Sequence, residues 1–211
     1  MDTADTKRLV ASGYDQIVDI YLRQFGHSAV RERKFNELVH GLREHARVLD
    51  LGCGAGLPVA RDLIARGFDV TGVDGSARQI EQAWRNVPEA KFIQADMVTV
   101  EFPACAFEAI LAFYSITHVP REEHAALLKN ISRWLTSGGR FIGSFGATAL
   151  DNWTGEWLGA TMFFSHHDAD TTKQLVRDAG LILDCVEVLK QDNEIDNQNV
   201  EFLWITAQKP V

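Results

Sequence analysis

Apolar side chains along the first 45 residues recur at the three- and four-residue spacing of an α-helix. They form two runs, Ile17, Ile20, Tyr21 and Phe25, and then Phe35, Leu38, Val39 and Leu42. The glycines that punctuate these runs are Gly13, Gly26 and Gly41. This pattern predicts a helical N-terminal cap over residues 1–45.

From residue 46 onward, short apolar runs alternate with amphipathic ones. The predicted strands are ARVLDL, FDVTGVD, AKFIQAD, FEAILAFY, RFIGSFG, LILDCVEVLK and VEFLWITAQK. The predicted helices are Leu57 to Arg66, Ser76 to Asn86, Arg121 to Thr136 and Asp168 to Ala179. Alternation of strand and helix requires parallel pairing with right-handed crossovers. The pattern therefore predicts an α/β core over residues 46–211, with helices on both faces of its sheet.

The last two predicted strands break this alternation. Only Gln191 to Asn199 separates them, which is too short for a crossover helix, so they are expected to form an antiparallel hairpin. The sheet is then seven-stranded and mixed. A second irregularity is the long connection over residues 147–167, which contains two of the five tryptophans. A connection of this length with no helix or strand of its own is uncommon in a compact domain. It indicates either a functional segment or an error in the assignment of elements.

The charge balance narrows the class of partner. The 211 residues include 21 Lys and Arg against 29 Asp and Glu, giving a formal net charge of −8. The resulting field repels polyanions, so neither nucleic acid nor an anionic membrane is the expected partner. The length suits a single domain over residues 1–211, and the composition leaves the oligomeric state open.

No apolar run approaches the ~20 residues needed to cross a bilayer. The N-terminal sequence MDTADTKRLV lacks the basic-then-apolar layout of a signal peptide. The cysteines Cys53, Cys105 and Cys185 are odd in number and lack metal-type spacing. A reduced, cytoplasmic setting is therefore expected.

Three glycines follow the first predicted strand directly. Gly52, Gly54 and Gly56 lie where this strand turns into its helix, a position that favours close approach of backbone to a ligand. Asp74 ends the second strand, 22 residues after Gly52, where an acid can accept hydrogen bonds from both ribose hydroxyls. The alternative role of Asp74 is to cap the next helix, but Ser76 is the better cap.

The third strand ends at Asp96 and Met97. An acid at this position can accept an adenine amino hydrogen bond, and the apolar side chain of Met97 can cover the ring. The alternative is an ordinary turn aspartate, which is common. The glycine loop and Asp74 together favour adenine.

These motifs together resemble a known family. VLDLGCGAG, GVDGS, QADM and FEAILAFYSITHVP are similar, in this order, to the successive motifs of class I S-adenosylmethionine-dependent methyltransferases. The resemblance implies a Rossmann-like fold, S-adenosylmethionine as cofactor and S-adenosylhomocysteine as product. It places the methionine end of the cofactor at Asp50 and the glycine loop, and it implies that Tyr14, with Tyr21, closes over the cofactor.

The resemblance and the strand ends together give one set of expected cofactor contacts. The set is Tyr14, Tyr21, Asp50, Gly52, Cys53, Gly54, Gly56, Asp74, Gly75, Ser76, Gln79, Asp96, Met97, Phe113, Tyr114 and His118. His118 resembles a histidine frequent at this point in the family, and we expect it near the cofactor rather than in catalysis.

The aromatic connection is the candidate acceptor site. The predicted substrate contacts are Tyr114, Trp153, Trp157, Met162, Phe164 and His166, because rings can stack on a flat acceptor. His166 and His167 are the candidate catalytic bases, since histidine titrates near pH ~6.5. The alternatives are a purely structural lid and two exposed loop histidines. No third ligand is spaced for a metal, so no metal is expected.

The sequence thus predicts methyl transfer to O, N or S of a small molecule, with an aromatic or heterocyclic acceptor favoured. One alternative is a cofactor-binding protein of the same fold without transfer activity. The other is a nicotinamide-dependent oxidoreductase. The GxGxG spacing and the absence of a YxxxK-like pair after the fourth strand argue against a dehydrogenase.

Overall fold

The computed structural model describes residues 2–191 and 200–211. The helices are α1 Thr3–Phe25, α2 Ala29–Val39, α3 Val59–Ala65, α4 Ala77–Asn86, α5 His124–Trp134 and α6 Ala169–Asp178. The strands are β1 Arg47–Leu51, β2 Asp69–Asp74, β3 Lys91–Gln94, β4 Phe107–Ala112, β5 Leu135–Gly146, β6 Leu150–Trp157, β7 Ala160–His166, β8 Ile182–Lys190 and β9 Glu201–Gln208. Two short 3₁₀ turns, Ile116–His118 and Arg121–Glu123, follow β4.

Seven strands form the main sheet in the order β3-β2-β1-β4-β5-β9-β8. Neighbours from β3 to β5 are parallel, whereas β9 pairs antiparallel with both β5 and β8. This confirms the predicted Rossmann-like mixed sheet and its C-terminal hairpin strands. Most of the connection between β8 and β9 lies outside the described residues. The order reverses between β1 and β4, where ligands bind beyond the carboxyl ends of the strands in such sheets.

The sheet is covered on both faces. In β1, Leu49 and Leu51 belong to a hydrophobic cluster with α5 and α6, whereas Val48 belongs to a second cluster with α2, α3 and α4. Successive side chains of a strand point to opposite faces, so these two clusters lie on opposite sides of the sheet. The predicted arrangement of helices on both faces is confirmed.

The connection over residues 147–167, to which the sequence analysis assigned no helix or strand, is a β-hairpin. β6 and β7 pair antiparallel as a separate two-stranded sheet, with Trp153 opposite Phe164. Leu158 and Gly159 form the turn with φ values of 53° and 83°. Two positive φ angles in a two-residue turn suit a hairpin, but Asn or Asp usually occupies the first position. Because Leu158 occupies that position, the sequence has no recognisable hairpin-turn signal there.

The predicted helix Arg121 to Thr136 is shorter in the structure. It begins as the 3₁₀ turn Arg121–Glu123, and α5 ends at Trp134. Leu135 is already extended and pairs with Phe107 of β4, so β5 starts before Gly138 rather than after it. Strand pairing therefore decides this boundary, not the glycine signal.

Candidate functional site

The glycine loop after β1 packs closely against the turn that follows β4. Gly52 has φ +80°, and a Cβ added there would lie 2.2 Å from Cβ of Ser115. The Gly52 N–H donates to the Val73 carbonyl at 2.7 Å, which ties the loop to β2. Gly54 has φ +53° and its N–H donates to Oδ2 of Asp74 at 2.9 Å. A side chain at Gly52 would therefore strain the backbone and collide with the wall opposite.

Asp74 ends β2 and binds the backbone on both sides. Its Oδ2 accepts from Gly54 and its Oδ1 accepts from the Ser76 N–H, each at 2.9 Å. Ser76 is the N-cap of α4 and accepts from the Gln79 N–H at 3.1 Å, as predicted. Burial raises the pKa of Asp74, while the two backbone N–H groups oppose that rise. Each oxygen keeps a second lone pair that can accept a ligand hydroxyl.

A cavity of about 340 Å³, named here the loop cavity, opens between the glycine loop, α1 and the ends of β2 to β4. Most of the predicted cofactor contacts line it. They are Tyr14, Tyr21, Gly52, Gly54, Asp74, Gly75, Ser76, Gln79, Asp96, Met97, Phe113, Tyr114 and His118. The strand ends and the N-terminal cap therefore converge on one chamber.

Asp50 and Cys53 line a smaller adjoining space of about 50 Å³, together with Gly52, Gly54 and Tyr21. Asp50 is 3% exposed, and its Oδ2 has no hydrogen-bond partner among the described residues. Burial, with a contribution from the nearby Asp74, raises the pKa of Asp50 to about 8. An unpartnered buried carboxyl oxygen next to a cavity fits a cationic or hydrogen-bond-donating ligand group.

Two predicted contacts have mainly packing roles. The thiol of Cys53 is buried in the core, where a Cβ on Gly72 would lie 2.8 Å from its Sγ. Gly56 lies outside both spaces. A Cβ there would lie 3.2 Å from the Phe92 ring and 3.3 Å from Val87. Gly56 lets the loop pack on the core, rather than lining the chamber.

Asp96 lines the loop cavity, and each of its carboxylate oxygens has a hydrogen-bond partner in the protein. Its Oδ2 accepts from Nζ of Lys7 at 2.6 Å, and its Oδ1 accepts from the Val98 N–H at 2.9 Å. Lys7 also lies 2.6 Å from Glu123. Burial lowers the pKa of Lys7, but its hydrogen bonds to the two carboxylates outweigh burial and raise it. The sequence analysis missed Lys7, although it shares the helical spacing of Tyr14 and Tyr21 along α1.

α1 closes the loop cavity from above and is also held at its middle. Asp15 accepts from the Ser76 hydroxyl at 2.5 Å and from the Arg78 N–H at 3.0 Å. Together with the Lys7 ion pairs, these bonds fix α1 across the carboxyl ends of the strands. Tyr14, on this helix, therefore lies over the loop cavity.

A second cavity of about 610 Å³, named here the hairpin cavity, lies between α1, the β6–β7 hairpin and the start of β9. Its ring-bearing lining residues are Tyr14, Tyr21, Phe25, Tyr114, His118, Trp153, Trp157, Phe164, His166 and Phe202. The charged lining residues among the described part of the chain are Glu156 and Glu201, with no Lys or Arg. This chamber is aromatic and weakly acidic.

Met162 was predicted on this wall, but it faces α1 instead. It is fully buried beside Ile17, and a Cβ on Gly13 would lie 2.7 Å from its Sδ. Met162 and Phe164 lie on the same face of β7. Because α1 crosses this face at Gly13, it covers Met162, whereas Phe164 lines the hairpin cavity. Gly13 is thus a packing position in α1, where it permits contact with the hairpin.

The two candidate catalytic histidines differ in position. His166 lines the hairpin cavity and its Nδ1 binds the Thr148 carbonyl, so Nδ1 carries the proton and Nε2 is the basic nitrogen. Burial lowers the pKa of His166. His167 does not line either cavity, because its Nε2 binds the Arg121 carbonyl at 3.0 Å. The role of His166 as a base stays a prediction, and the position of His167 argues against the same role for it.

The two cavities share one wall. Tyr14, Tyr21, Tyr114 and His118 line both of them. The Tyr14 hydroxyl lies 2.8 Å from Nε2 of His118, and Nδ1 of His118 lies 2.8 Å from the Phe163 carbonyl oxygen. A ligand in the loop cavity would therefore meet a ligand in the hairpin cavity at this wall.

Among the residues that the structure describes, no three His, Cys, Asp or Glu side chains are grouped to hold a metal ion. In residues 2–191 and 200–211, no helix has the length and apolarity required to span a bilayer.

A family model described as a methyltransferase domain matches residues 48–139. The 27-O-demethylrifamycin SV methyltransferase of Amycolatopsis mediterranei is 29% identical over 166 residues, covering 68% of this chain and 60% of that protein. The trans-aconitate 2-methyltransferase of an Enterobacter species is 39% identical over 126 residues, covering 57% of this chain and 46% of its own length. The chain thus spans less than two thirds of each of these relatives.

A solved structure aligns over the entire chain. The 1,6-didemethyltoxoflavin-N1-methyltransferase of Burkholderia thailandensis, solved with 1,6-didemethyltoxoflavin and S-adenosylhomocysteine bound, has a TM-score of 0.76 at 17% identity. The alignment covers 100% of this chain and 92% of that chain. At this identity the likeness concerns the fold.

Proposed function

Because this chain belongs to the class I S-adenosylmethionine-dependent methyltransferases, we propose that it transfers the methyl group of S-adenosylmethionine to a small aromatic or heterocyclic molecule, at O, N or S. The observation that carries the proposal is the pair of cavities with a common wall at Tyr14, Tyr21, Tyr114 and His118. Direct transfer needs the donor carbon and the acceptor atom in one water-excluding space. Two chambers that meet at a narrow aromatic wall suit this requirement.

The loop cavity has the hydrogen-bond acceptors that the cofactor needs. Asp50 offers an unpartnered buried carboxyl oxygen for the amino group of the methionine end. Asp74 can accept from the ribose hydroxyls, and Gly52 lets the backbone approach closely. Asp96 and Met97 line the end assigned to adenine. When bound, S-adenosylmethionine supplies an activated methyl group on a sulfonium.

The hairpin cavity supports an acceptor that is flat and carries no negative charge. Trp157 stacks on Phe25 with ring centroids 5.7 Å apart and an interplanar angle of 27°. Such rings favour a planar partner. Since the described lining has Glu156 and Glu201 but no Lys or Arg, a carboxylate-rich acceptor would be left without a counterion. This chain is thus proposed to differ in acceptor from its relative named for trans-aconitate.

The setting proposed for this activity is the cytoplasm. Cys53, Cys105 and Cys185 are all free thiols, as expected in a reducing compartment. The net charge of −8 disfavours a nucleic-acid acceptor, so a small molecule is the proposed partner.

The test is a transfer assay with methyl-labelled S-adenosylmethionine and a panel of acceptors. The panel contains uncharged and cationic heterocycles, phenols and, as a contrast, tricarboxylates. We expect labelled product and S-adenosylhomocysteine from the flat, non-anionic members. Tight binding of S-adenosylhomocysteine without product from any acceptor would favour a cofactor-binding protein instead. Stabilisation by NAD and not by S-adenosylhomocysteine would overturn the cofactor assignment.

A further inference from the structure

We propose that Tyr14 is the catalytic residue that takes the proton from the methyl acceptor, and that His118 positions Tyr14 and receives its hydroxyl proton. The proposal rests on the proposed function, since it concerns an acceptor whose O–H or ring N–H is protonated at neutral pH. It differs from the sequence-based expectation in two respects. That expectation placed the base at His166 or His167 and kept His118 out of the chemistry.

The hydrogen bonds around His118 fix the direction of the proton transfer. The Phe163 carbonyl can only accept, so Nδ1 of His118 carries the ring proton in their 2.8 Å contact. Nε2 is then the acceptor nitrogen, and the Tyr14 hydroxyl donates to it at 2.8 Å. The Tyr14 oxygen thus keeps both lone pairs for a proton from another group. A proton can therefore pass from the methyl acceptor to the Tyr14 oxygen while the Tyr14 hydroxyl proton passes to His118.

The pair lies where the chemistry is proposed to occur. Tyr14 comes from α1, His118 from the 3₁₀ turn after β4, and Phe163 from β7. Tyr14 and His118 both line the loop cavity and the hairpin cavity. His118 is 8% exposed and packs against Phe164, with ring centroids 4.5 Å apart. Three separate elements therefore hold one proton pathway at the wall between donor and acceptor.

The resting charges agree with this pathway. Burial lowers the pKa of His118 to about 4, so its ring is neutral near pH 7 and able to accept a proton. Burial, with Tyr21 and Asp74 nearby, raises the pKa of Tyr14, so no tyrosinate forms in advance. The other titratable side chains that line the two cavities are Lys7, Arg8, Tyr21, Asp74, Asp96, Tyr114, Glu156, His166 and Glu201. Tyr14 must therefore gain and lose a proton in the same step.

Methyl transfer and two proton transfers occur together in the proposed step. A lone pair on X forms the new bond to the methyl carbon, and the bond from that carbon to the sulfonium sulfur breaks, its electron pair staying on the sulfur. The X–H bond also breaks, and its electron pair stays on X. The proton moves to the Tyr14 oxygen while the original Tyr14 proton moves to Nε2 of His118. Tyr14 ends neutral and His118 ends as a cation. A bound sulfonium donor would supply one positive charge before transfer, and the His118 cation would carry one positive charge after it, so the total charge of the site would not change.

The decisive experiment compares Tyr14→Phe and His118→Gln with the wild type on the best acceptor of the panel. Loss of a general base typically costs ~10²–10⁴-fold, and we expect kcat to fall in this range for both variants. S-adenosylhomocysteine affinity should change by less than about threefold, because both variants keep Asp50, Asp74 and the glycine loop, which are the groups proposed to hold the cofactor. His40→Gln, an exposed histidine far from both cavities, is the matched control with unchanged kcat.

The pH profile separates proton transfer from a structural role. Wild-type kcat should be level near neutrality and fall toward pH 4, as His118 becomes protonated and can no longer accept. In Tyr14→Phe only acceptor that has already ionised can react. Its residual kcat should therefore rise about tenfold per pH unit up to the pKa of the acceptor. A structural defect would lower the rate equally at every pH.

A second readout needs no turnover. Nitrogen NMR of the free protein should show His118 protonated at Nδ1, with Nε2 shifted by a hydrogen bond that Tyr14→Phe removes. A His118 protonated at Nε2 overturns the proposal, as does near-normal kcat with an unchanged pH profile in Tyr14→Phe. A large kcat loss in His166→Gln alone would transfer the role to His166. If the wild type methylates nothing, the proposed function itself fails. Should His118→Gln not fold, Tyr14→Phe, which deletes one oxygen, carries the test alone.

Discussion

The loop cavity and the hairpin cavity are built in different ways. The loop cavity is formed by strand ends and backbone N–H groups, with Asp74 binding the backbone of Gly54 and Ser76. The hairpin cavity is formed by side chains from α1, β6, β7 and β9 that are distant in sequence. The first is an edge of the sheet held by backbone hydrogen bonds, whereas the second depends on how α1 and the β6–β7 hairpin pack. Changes in the two regions should therefore affect different kinetic constants.

The largest effect on the cofactor side is expected for Gly52→Val. A left-handed backbone and a collision with Ser115 should weaken S-adenosylhomocysteine binding about 100-fold, measured by calorimetry. Gly41→Val is the matched control, because Gly41 also has φ +80° but a Cβ there meets nothing within 4 Å. It should lower stability a little and leave cofactor affinity intact. Equal loss of affinity in both variants would remove the special role of the loop.

Asp74→Ala should weaken cofactor binding by about 1.5–3 kcal/mol, the scale of hydrogen bonds to a charged group. The variant also frees the backbone N–H groups of Gly54 and Ser76, which loosens the loop. Asp96→Ala is the comparison and should cost less, since an adenine amino group can find water instead. Calorimetry that shows unchanged affinity for Asp74→Ala would contradict the ribose assignment.

On the acceptor side, Trp157→Ala should raise KM for a flat acceptor about tenfold while cofactor affinity stays within twofold. The ring lies against Phe25, Tyr21 and Phe164, so its loss opens the hairpin cavity. Trp84→Ala removes a ring that is 57% exposed on α4 and serves as the control. Equal effects of Trp157→Ala on both ligands would mean that the two cavities do not act separately.

The smallest effect concerns pH. Asp50 has a pKa of about 8 in the free protein, so its carboxyl group is mostly protonated at pH 7. A cationic amino group prefers the carboxylate, which becomes more populated as pH rises. Affinity for S-adenosylhomocysteine should therefore rise about fivefold between pH 7 and pH 8, with proton release on binding. Asp50→Asn should bind more weakly and lose this dependence. A pH-independent affinity in the wild type would place the amino group elsewhere.

The sequence predicted the loop cavity well because its determinants are local. Gly52 follows a strand directly, and Asp74 ends the next one, so both positions follow from the alternation of strand and helix. The role of Ser76 as the N-cap of α4 could be predicted from the residues beside it in the sequence. The ion pair between Lys7 and Asp96 joins residues 89 positions apart, and only the packing of α1 on the sheet brings them together.

The hairpin cavity was predicted less well because side-chain direction there depends on tertiary packing. Trp153, Trp157 and Phe164 were placed on its wall from the position of the connection after the fifth strand and from its aromatic composition. Met162 was placed with them, since nothing in the sequence shows that α1 crosses the hairpin at Gly13. The contact between Tyr14 and His118 spans 104 positions and has no local signal.

The separate hydrogen bonding of β6 and β7 has a consequence for how acceptor choice can change. Because these two strands pair with each other and not with the main sheet, substitutions and length changes in them leave the seven-stranded ladder intact. The constraint on the hairpin comes instead from its contacts with α1 and His118, through Met162 and the Phe163 carbonyl. Changes at Trp153, Trp157 or the Leu158–Gly159 turn that keep these two contacts should reshape the hairpin cavity without moving the glycine loop.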